Sequence, residues 1–359
     1  MNTSGSVNTS FGGFDWGLLT VYMLSVIGIA VWSKLSKKQD TEEYLLARHS
    51  MNWMVVATSV FATLFSTISF VSVPGEAYNF GLMMIISSIG IIIFTPLSIW
   101  LFLRFFFNAP TFTAYEYLER RFNRKCRMLA SILFIAIRLF YTGGVFYAAA
   151  IIFESIVGWS PLLTVAVVGA VTIVYAFLGG ARAVIINDVI QSGIILVGIS
   201  ALFFRILQLT GFDFVGVFSF AHAHNHTFEL LADPSFYRFD IHDRWNFWLL
   251  ALGLIMGPMT TMSCDQFVIQ RLLAGKNYRQ AVKSIYTSYF MGCLTVIALY
   301  GIGIFLYYYY NAGTGVLPKG IEGDQVLGYF VNTCLPSPLP GLIMSREPTI
   351  RVRYLCNFT

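Results

Sequence analysis

Charge is scarce in this sequence: only 11% of the 359 residues are aspartate, glutamate, lysine or arginine, whereas 57% are hydrophobic. Soluble globular proteins carry about 25% charged residues, so this composition excludes an ordinary water-soluble surface. The sequence also has few cysteines. Its five cysteines are scattered, with no C-x-x-C pair and no even framework, and they give no support to a metal cluster or a structural disulfide. The composition therefore predicts an integral membrane protein.

Histidine is rare as well, and its only cluster lies outside the apolar segments. His222, His224 and His226 alternate along the loop between the sixth and seventh of these segments. Such a cluster could offer a metal site, whereas a solvated loop is the simpler interpretation. The few polar groups inside the segments are mostly hydroxyls, without the paired acid and base, nucleophile triad or metal set that catalysis needs. The sequence therefore argues against an enzyme.

Long apolar runs are what the sequence has in abundance. A helix needs roughly 20 mostly apolar residues to cross about 30 Å of hydrocarbon. Such runs occur at residues 16–32, 53–73, 82–107, 128–157, 162–178, 184–207, 246–263 and 284–310. They lack the period of two that the strands of a membrane β-barrel require, and the first run lacks the basic flank and cleavage site of a signal peptide. We therefore predict an all-α membrane protein of about eight helices.

Lysine and arginine are concentrated on one side of the predicted membrane. The loops after the first, third, fifth and seventh segments hold most of them: Lys34, Lys37, Lys38, Arg48, Arg120, Arg121, Arg124, Lys125, Arg127, Arg182, Arg271, Lys276, Arg279 and Lys283. Because cytoplasmic loops carry such an excess, the N-terminus is predicted to lie outside the plasma membrane. The net charge of +5 follows from this bias. It requires no nucleic-acid partner, since no basic stripe is interleaved with stacking aromatics.

Two of the apolar segments contain features that predict an interruption. The second carries a cluster of hydroxyls ahead of Pro74-Gly75, and the seventh carries Gly257-Pro258 near its centre. Transporters place their sites at interruptions, where freed backbone carbonyls and helix ends bind ions and substrate. The two segments are five apart and cross in opposite directions, as corresponding helices of an inverted five-helix repeat do. The alternative is that the hydroxyls bond back to their own helix and that proline only kinks it.

Charged residues inside predicted spans are candidates for function, because a charge at the centre of a membrane helix costs several kcal/mol and usually marks a pathway or a pair. Arg138 lies well inside the fourth segment, and Asp188 lies near the cytoplasmic start of the sixth. Glu154 is near the outer end of the fourth segment, where the interface explains it. Two interpretations of Arg138 stay open: it neutralises an acidic substrate, or it pairs with a carbonyl at an interrupted helix.

Four ordered motifs make the sequence resemble the solute:sodium symporters, the family of the sodium/glucose, sodium/iodide, sodium/proline and sialic acid carriers. STISFVSVPGEAY (66–78) is similar to the family's first core helix, and FTAYEYLERRF (112–122) to its cytoplasmic loop. GGARAVIINDVIQ (179–191) resembles the signature GG-x-x-AVI-x-TD-x-x-Q, with Asn187 where threonine is usual. CDQFVIQRLLAGKN (264–277) resembles the stretch DQ-x-x-x-QR-x-LA-x-KN. The resemblance covers about residues 10–344.

This resemblance implies a LeuT-type fold of two inverted five-helix repeats, preceded by one extra helix, and the activity of a sodium-coupled symporter. In that scheme backbone carbonyls of the broken first core helix, here those of Ala62 and Phe65, bind one Na+ together with hydroxyls of the eighth core helix. Asp188 matches an acidic position on the family's inner sodium route. Na+ is then the coupling ion, since carbonyl and hydroxyl oxygens suit a hard cation, and no other metal or organic cofactor is implied.

The solute that the resemblance implies is a small organic acid or an acidic sugar. Ser66 and Ser69 are similar to the hydroxyl pair with which sialic acid carriers contact a carboxylate, and Arg138 lies roughly one turn from their arginine. A neutral hexose is not expected, because Ile68 and Ser69 replace the acid and the amide that would bind it. Further positions expected near the solute are Thr67, Ser88 and Thr261.

The sequence after Met344 departs from the family pattern. Where a long apolar helix is expected, residues 345–359 include Arg346, Glu347 and Arg351, which enter lipid only at high cost. The expected organisation is a symporter domain at 1–344, with the first repeat and an incomplete second repeat, followed by a polar tail unrelated to the family. On this interpretation the chain is a transport-deficient form, or a membrane product that interferes with full-length copies.

Overall fold

The computed structural model describes residues 13–36, 50–65, 67–108, 114–157, 159–240, 242–243, 246–313, 315–318, 320–321 and 323–335. These ranges are almost entirely helical and contain no β-strand, although an isolated backbone bridge joins Met51 to Gly275. The α-helices are α1 (Gly13–Ser36), α2 (Trp53–Leu64), α3 (Thr67–Phe80), α4 (Ile85–Ser98, continued by Ile99–Leu103 and Arg104–Asn108), α5 (Ala114–Arg121), α6 (Arg124–Val157), α7 (Pro161–Leu209), α8 (Phe214–Ala223), α9 (Phe247–Ser263), α10 (Gln266–Leu273), α11 (Tyr278–Asn311) and α12 (Gly323–Cys334). The predicted all-α fold class is confirmed. The predicted polar tail lies outside these residues.

Each predicted apolar segment contains a helix. Those long and apolar enough to cross a membrane as one helix are Ile85–Asn108, Arg124–Tyr147, Gly180–Leu209 and Tyr278–Asn311. Two bent pairs raise the number from four to six if each forms one span: Trp53–Leu64 with Ser69–Phe80, and Phe247–Ser263 with Gln266–Leu273. The first and fifth predicted segments form shorter apolar helices, over Thr20–Trp32 and Pro161–Ala170. The chain is therefore a multi-pass membrane protein.

The fifth and sixth segments meet at a glycine inside α7. Gly180 has a φ of 60° and a ψ of −174°, whereas the residues on both sides of it are helical. This conformation is open almost only to glycine, because a Cβ atom would collide with the neighbouring backbone. The connection between these two segments, predicted around Arg182, therefore includes a sharp turn that only glycine makes without strain.

The second and seventh segments are broken, but not at their prolines. Pro74 lies inside α3 and Pro258 inside α9. The breaks come between Leu64 and Ser69 and between Ser263 and Gln266, where the helix axes bend by 58° and 60°. The expectation that Pro74-Gly75 and Gly257-Pro258 mark the interruptions is therefore wrong. A proline removes one N–H donor and bends a membrane helix, but neighbouring groups re-satisfy the freed carbonyl, so the helix continues.

Helix α11 lies at the centre of the bundle, in contact with α2, α3, α4 and α7. Its buried residues Leu299, Ile302 and Phe305 belong to the largest hydrophobic core, which also includes residues of α2, α3, α7 and α12. At Gly303 the fit is close, because a Cβ atom there would lie 2.5 Å from both the Ala77 Cβ and the Pro74 carbonyl oxygen. Small residues allow membrane helices to approach in this way. α11 therefore fixes the position of α3, the second half of the first broken segment.

The remaining helices pack around this core. α1, the extra N-terminal helix, packs against α7, where Tyr22 and Val26 bury against Ala183 and Val184. α9 packs against α4, α12 against α3, and α5 against α6. α2 contacts both α7 and α11. The two broken segments also contact each other, since α10 packs against α2 and both contact α11.

Candidate functional site

The first break separates α2 from α3. α2 ends at Leu64, and Phe65 is extended (φ −90°, ψ 100°) while its N–H donates to the carbonyl of Phe61 at 2.8 Å. The last carbonyls of a helix have no partner within it, and they carry its partial negative charge. Ala62 is 1% exposed and Phe65 is 4% exposed. The carbonyls that the resemblance assigns to Na+ therefore belong to a buried helix end.

Hydroxyl side chains lie on both sides of this break. Thr63 donates to the carbonyl of Ser59 at 2.7 Å, so this hydroxyl bonds back to its own helix, as the alternative interpretation holds. Ser69 is half-buried on the first turn of α3. Thr67 is the first residue of α3, and Ser66 lies outside the described residues. The predicted solute contacts of this segment are thus concentrated at the N-terminal end of α3.

The second break separates α9 from α10. Cys264 ends α9, and the carboxylate of Asp265 accepts from the N–H of Phe267 at 3.0 Å and caps α10. Thr261, expected near the solute, lies in the last turn of α9 and donates to the carbonyl of Gly257 at 3.0 Å. This segment therefore also presents a helix end and a half-buried hydroxyl at its break.

The other predicted solute contacts are carried by helices that pack against these broken segments. Ser88 is half-buried on α4, which packs against α9, the helix of Thr261. Arg138 is on α6, which contacts α3, the helix of Ser69. α11 contacts both α3 and α4. The fold thus places the predicted residues on neighbouring helices around the two breaks, and their contact with a solute stays a prediction.

Arg138 is engaged at the second break. Its Nη2 lies 2.7 Å from the Asp265 Oδ2, and the side chains are 15% and 20% exposed. The guanidinium also lies over the rings of Phe267 and Phe134, at 4.6 and 5.3 Å from their centroids. Of the two interpretations, the structure has Arg138 paired at an interrupted helix, with the carboxylate of Asp265 as a partner.

Asp188 lies in a buried polar network that joins α2, α7 and α10. Its Oδ2 accepts from the Ser59 hydroxyl and from the Arg271 Nε, the latter at 3.2 Å. The same Nε lies 2.9 Å from the Ser59 Oγ, and the Arg271 Nη1 donates to the Phe267 carbonyl at 3.1 Å. The side chain of Asp188 is 0% exposed and that of Arg271 5%. A buried carboxylate requires such a counter-charge, so Arg271 neutralises Asp188.

Sequence reasoning missed the partners of both charged residues. It placed Arg271 in a loop, whereas Arg271 lies on helix α10, after the predicted end of the seventh segment, and is buried. It assigned no role to Ser59 or Asp265. A signal for two of them was present, since Asp265 and Arg271 both lie in the CDQFVIQRLL stretch that carries the family resemblance. The pairing of Asp188 with Arg271 could not be inferred from the sequence, because the two residues are 83 positions apart.

The histidine cluster does not assemble a metal site. The Nδ1 of His222 contacts the Glu229 Oε1 at 2.7 Å, whereas the Nδ1 atoms of His224 and His226 contact backbone carbonyls. No group of three or more histidine, cysteine, aspartate or glutamate side chains that could hold a metal occurs in the part of the chain that the structure describes. The described residues therefore give no support to the metal-site alternative. The loop is not merely solvated either, since the ring of His226 stacks on Tyr307 at 4.0 Å.

Comparison with protein families identifies the chain. The model of the sodium:solute symporter family matches residues 44–347, which is most of the sequence. The chain belongs to the sodium:solute symporter family. The resemblance drawn from the four motifs is thereby confirmed, and the family is one of transporters rather than enzymes.

Individual relatives in this family are distant and longer. The sodium/sialic acid symporter NanT of Aliivibrio fischeri is 27% identical over 339 residues, covering 94% of this chain and 65% of the relative. The sodium-coupled monocarboxylate transporter 1 of Xenopus laevis is 29% identical over 353 residues, covering 96% and 55%. A putative sodium-dependent multivitamin transporter of Drosophila melanogaster is 27% identical over 326 residues, covering 90% and 53%. The chain spans about half to two thirds of the length of these curated relatives.

A solved structure in the family has the same fold. The substrate-bound, outward-open state of a Na+-coupled sialic acid symporter superposes with a TM-score of 0.88 over 96% of this chain and 71% of the other. The sequence identity is 23%, so this likeness shows the fold alone. The LeuT-type helical bundle expected from the motifs is therefore confirmed.

Proposed function

We propose that this protein is a sodium-coupled symporter of a small organic acid or an acidic sugar. The observation that carries the proposal is the pair of bent, broken membrane segments in a member of the sodium:solute symporter family. Helix ends at a break offer carbonyls to a cation and N–H groups to an anion. Two of the relatives are named for sialic acid and for monocarboxylates, which are organic acids.

For the coupling ion, we assign the carbonyls of Ala62 and Phe65. They belong to the buried C-terminal end of α2, which supplies neutral oxygen ligands and a partial negative charge without a full counter-ion. These groups fit Na+, a hard cation. Asp188 is assigned to the inner route of the ion. Its Oδ2 is bonded to Ser59 and Arg271, so we expect it to meet the ion when this network rearranges.

For the solute, we assign the hydroxyls near the two breaks. Thr67 and Ser69 are on the first turn of α3, where the positive end of the helix dipole favours a carboxylate. Ser66, which precedes Thr67 in the sequence, is assigned to the same solute. Ser88 and Thr261 are on the packed helices α4 and α9, where hydroxyls suit the polar groups of an acidic sugar. Arg138 adds positive charge on the side of α6.

Uptake by proteoliposomes containing the purified 359-residue chain tests the proposal. An inward Na+ gradient should drive accumulation of labelled sialic acid or pyruvate, and a choline gradient should not. The same assay tests the prediction that this chain is transport-deficient. Na+ binding is measured separately by thermal unfolding, because Na+ at 100 times its Kd stabilises the folded state by about 2.7 kcal/mol. A chain with neither uptake nor a Na+-specific stabilisation would contradict the assignment.

We further propose that the protein resides in the plasma membrane with its N-terminus outside. Support comes from the lysines and arginines that flank the membrane helices, since Arg124, Lys125 and Arg127 open α6 and Lys276 precedes α11. The short helix α8 and the histidine cluster would then lie on the outer side.

A further inference from the structure

Arg138 and Asp265 form an ion pair at the point where the seventh segment breaks. The two side chains are 15% and 20% exposed, with an Nη2 to Oδ2 distance of 2.7 Å. An exposed ion pair contributes little to stability, but a partly buried one is screened less and leaves a costly charge when one partner is removed. The guanidinium also lies over the neighbouring rings of Phe134 and Phe267. Arg138 is therefore fixed in its position before any solute is present.

The carboxylate of Asp265 has two functions in this arrangement. Its Oδ2 binds Arg138, while its Oδ1 accepts from the Phe267 N–H at 3.0 Å and caps α10. Because the carboxylate of Asp265 is planar, the contact of its Oδ2 with Arg138 also orients its Oδ1. Arg138 on α6 therefore fixes the direction in which α10 leaves the break.

A third side chain holds the other end of the break. The Tyr115 hydroxyl of the cytoplasmic helix α5 donates to the carbonyl of Cys264 at 3.1 Å. Burial, followed by Cys264 and Asp265, raises the pKa of Tyr115, so the hydroxyl keeps its proton as a donor. The ring of Tyr115 also contacts Phe134, which in turn contacts Phe267. Both ends of the break are thus bonded to α5 and α6, two helices that pack against each other.

We propose that Arg138 is a positioning residue of the solute site rather than a ligand of the solute. Through Asp265 it positions the break between α9 and α10, and thereby Thr261. Thr261 lies in the last turn of α9, directly before the break, so a shift of the break moves this hydroxyl. This inference rests on the proposed function, since it assigns a role in the same site. It also assigns a role to Asp265, for which the sequence alone suggested none.

The first test measures the break itself and needs no transport. Arg138→Gln and Asp265→Asn each remove the ion pair, while asparagine keeps the capping oxygen. We expect each to accelerate amide hydrogen exchange in residues 266–269 of the purified chain by about tenfold, the usual effect of losing a hydrogen bond to a charged group. The double variant should add little. Glu119→Gln, which removes the exposed pair with Arg127 on the same helix α6, is the matched control and should leave exchange unchanged.

The second test separates positioning from solute binding. In proteoliposomes, we expect Arg138→Gln and Asp265→Asn to change the maximal rate and the KM of sialic acid or pyruvate uptake to the same extent, and Arg138→Lys to restore part of the rate because it keeps the charge. A large increase of KM in Arg138→Gln alone would overturn the inference and make Arg138 a solute ligand. Unchanged hydrogen exchange in both variants would also overturn it. If the parent chain shows neither uptake nor a Na+-specific stabilisation, the proposed function fails, and the hydrogen-exchange data then test the role of the ion pair by themselves.

Discussion

Arg271 and Asp188 carry opposite charges in the interior of the bundle, where an unpaired charge is costly. Removing one member of such a pair destabilises a protein by about 3–5 kcal/mol, because the other charge stays buried. We therefore expect Arg271→Met to lower the thermal stability of the purified chain by about this amount. The double variant Arg271→Met/Asp188→Asn should regain most of the loss, since no charge is then left uncompensated. Thermal unfolding in detergent measures both.

The exposed pair of Arg120 and Glu116 is the matched control for this prediction. Its side chains are 50% and 21% exposed, and such pairs contribute only about 0.2–1 kcal/mol. Arg120→Met should therefore change the unfolding temperature little. A double variant at Arg271 and Asp188 that is as unstable as Arg271→Met alone would contradict the interpretation, because the loss would then come from packing rather than from charge.

The pKa of Glu229 gives a prediction for the loop between α8 and α9, away from the membrane-spanning helices. Burial acts to raise its pKa, but hydrogen bonds from Thr227 and His222 outweigh burial, so the pKa of Glu229 lies below its ordinary value. At pH values above the ordinary pKa of glutamate, the ionised carboxylate of Glu229 therefore stabilises the loop. This stabilisation is lost as the pH falls through the lowered pKa of Glu229 in the folded protein. We expect the amide protection of residues 222–229 to decrease over that acidic range. In Glu229→Gln, protection should be weak at every pH, and a pH-dependent loss in that variant would refute the assignment.

The sequence identified the charged residues of the site but not their partners. Arg138 and Asp188 stand out because charges are rare inside apolar segments, and both are paired in the structure. Their partners, Asp265 and Arg271, lie beyond the predicted end of the seventh segment, where charges look like ordinary loop residues. The packing of α10 against α2 accompanies the burial of Arg271, whereas Asp265 is half-buried beside Arg138.

At the scale of helices, the hydrophobicity of the sequence predicted the bounds of the membrane segments well, but it did not predict where two of them break. The runs at 82–107, 246–263 and 284–310 agree closely with Ile85–Asn108, Phe247–Ser263 and Tyr278–Asn311. The breaks were misplaced because proline and glycine were taken as their markers, whereas the family resemblance had pointed to Ala62 and Phe65. A break in a membrane helix needs partners for its freed backbone groups, and these come from other helices, as the Tyr115 hydroxyl does for Cys264.

The contact of α11 with α3 gives a prediction at this scale. A Cβ atom on Gly303 would lie 2.5 Å from the Pro74 carbonyl oxygen and from the Ala77 Cβ, so Gly303→Ala must push the two helices apart. Overpacking of this kind costs about 1–3 kcal/mol, more than the gain of about 1 kcal/mol in helix propensity. We expect a lower unfolding temperature, and a reduced uptake rate if the chain transports.

Gly292 in the same helix supplies the control. A Cβ atom there meets nothing within 4 Å, so Gly292→Ala gains helix propensity without a collision and should be neutral or stabilising. If Gly303→Ala were as stable as Gly292→Ala, the close approach of α11 to α3 would not be a feature of the protein in the membrane.

At the scale of the whole molecule, contacts join α2 and α10, the halves of the two broken segments that we propose to face the cytoplasm. The Met51 N–H before α2 donates to the Ala274 carbonyl after α10 at 3.2 Å, and the Ser284 hydroxyl of α11 donates to the Trp53 carbonyl at 2.7 Å. The Asp188 network links the same helices one to two turns deeper. Release of an ion or solute towards this side would require these contacts to separate, so they are the part of the bundle in which we expect sodium and solute to change hydrogen exchange.

The orientation proposed from the charge distribution can be tested by labelling. In a cysteine-free background, Ser235→Cys places a thiol on the exposed outer loop, and Lys276→Cys places one on the exposed loop after α10. We expect a membrane-impermeant maleimide to label Ser235→Cys on intact cells, and Lys276→Cys only after permeabilisation. Labelling of both sites only after permeabilisation would place the protein in an internal membrane. The reverse pattern would invert the topology, and the positive-inside argument would then fail for this bundle.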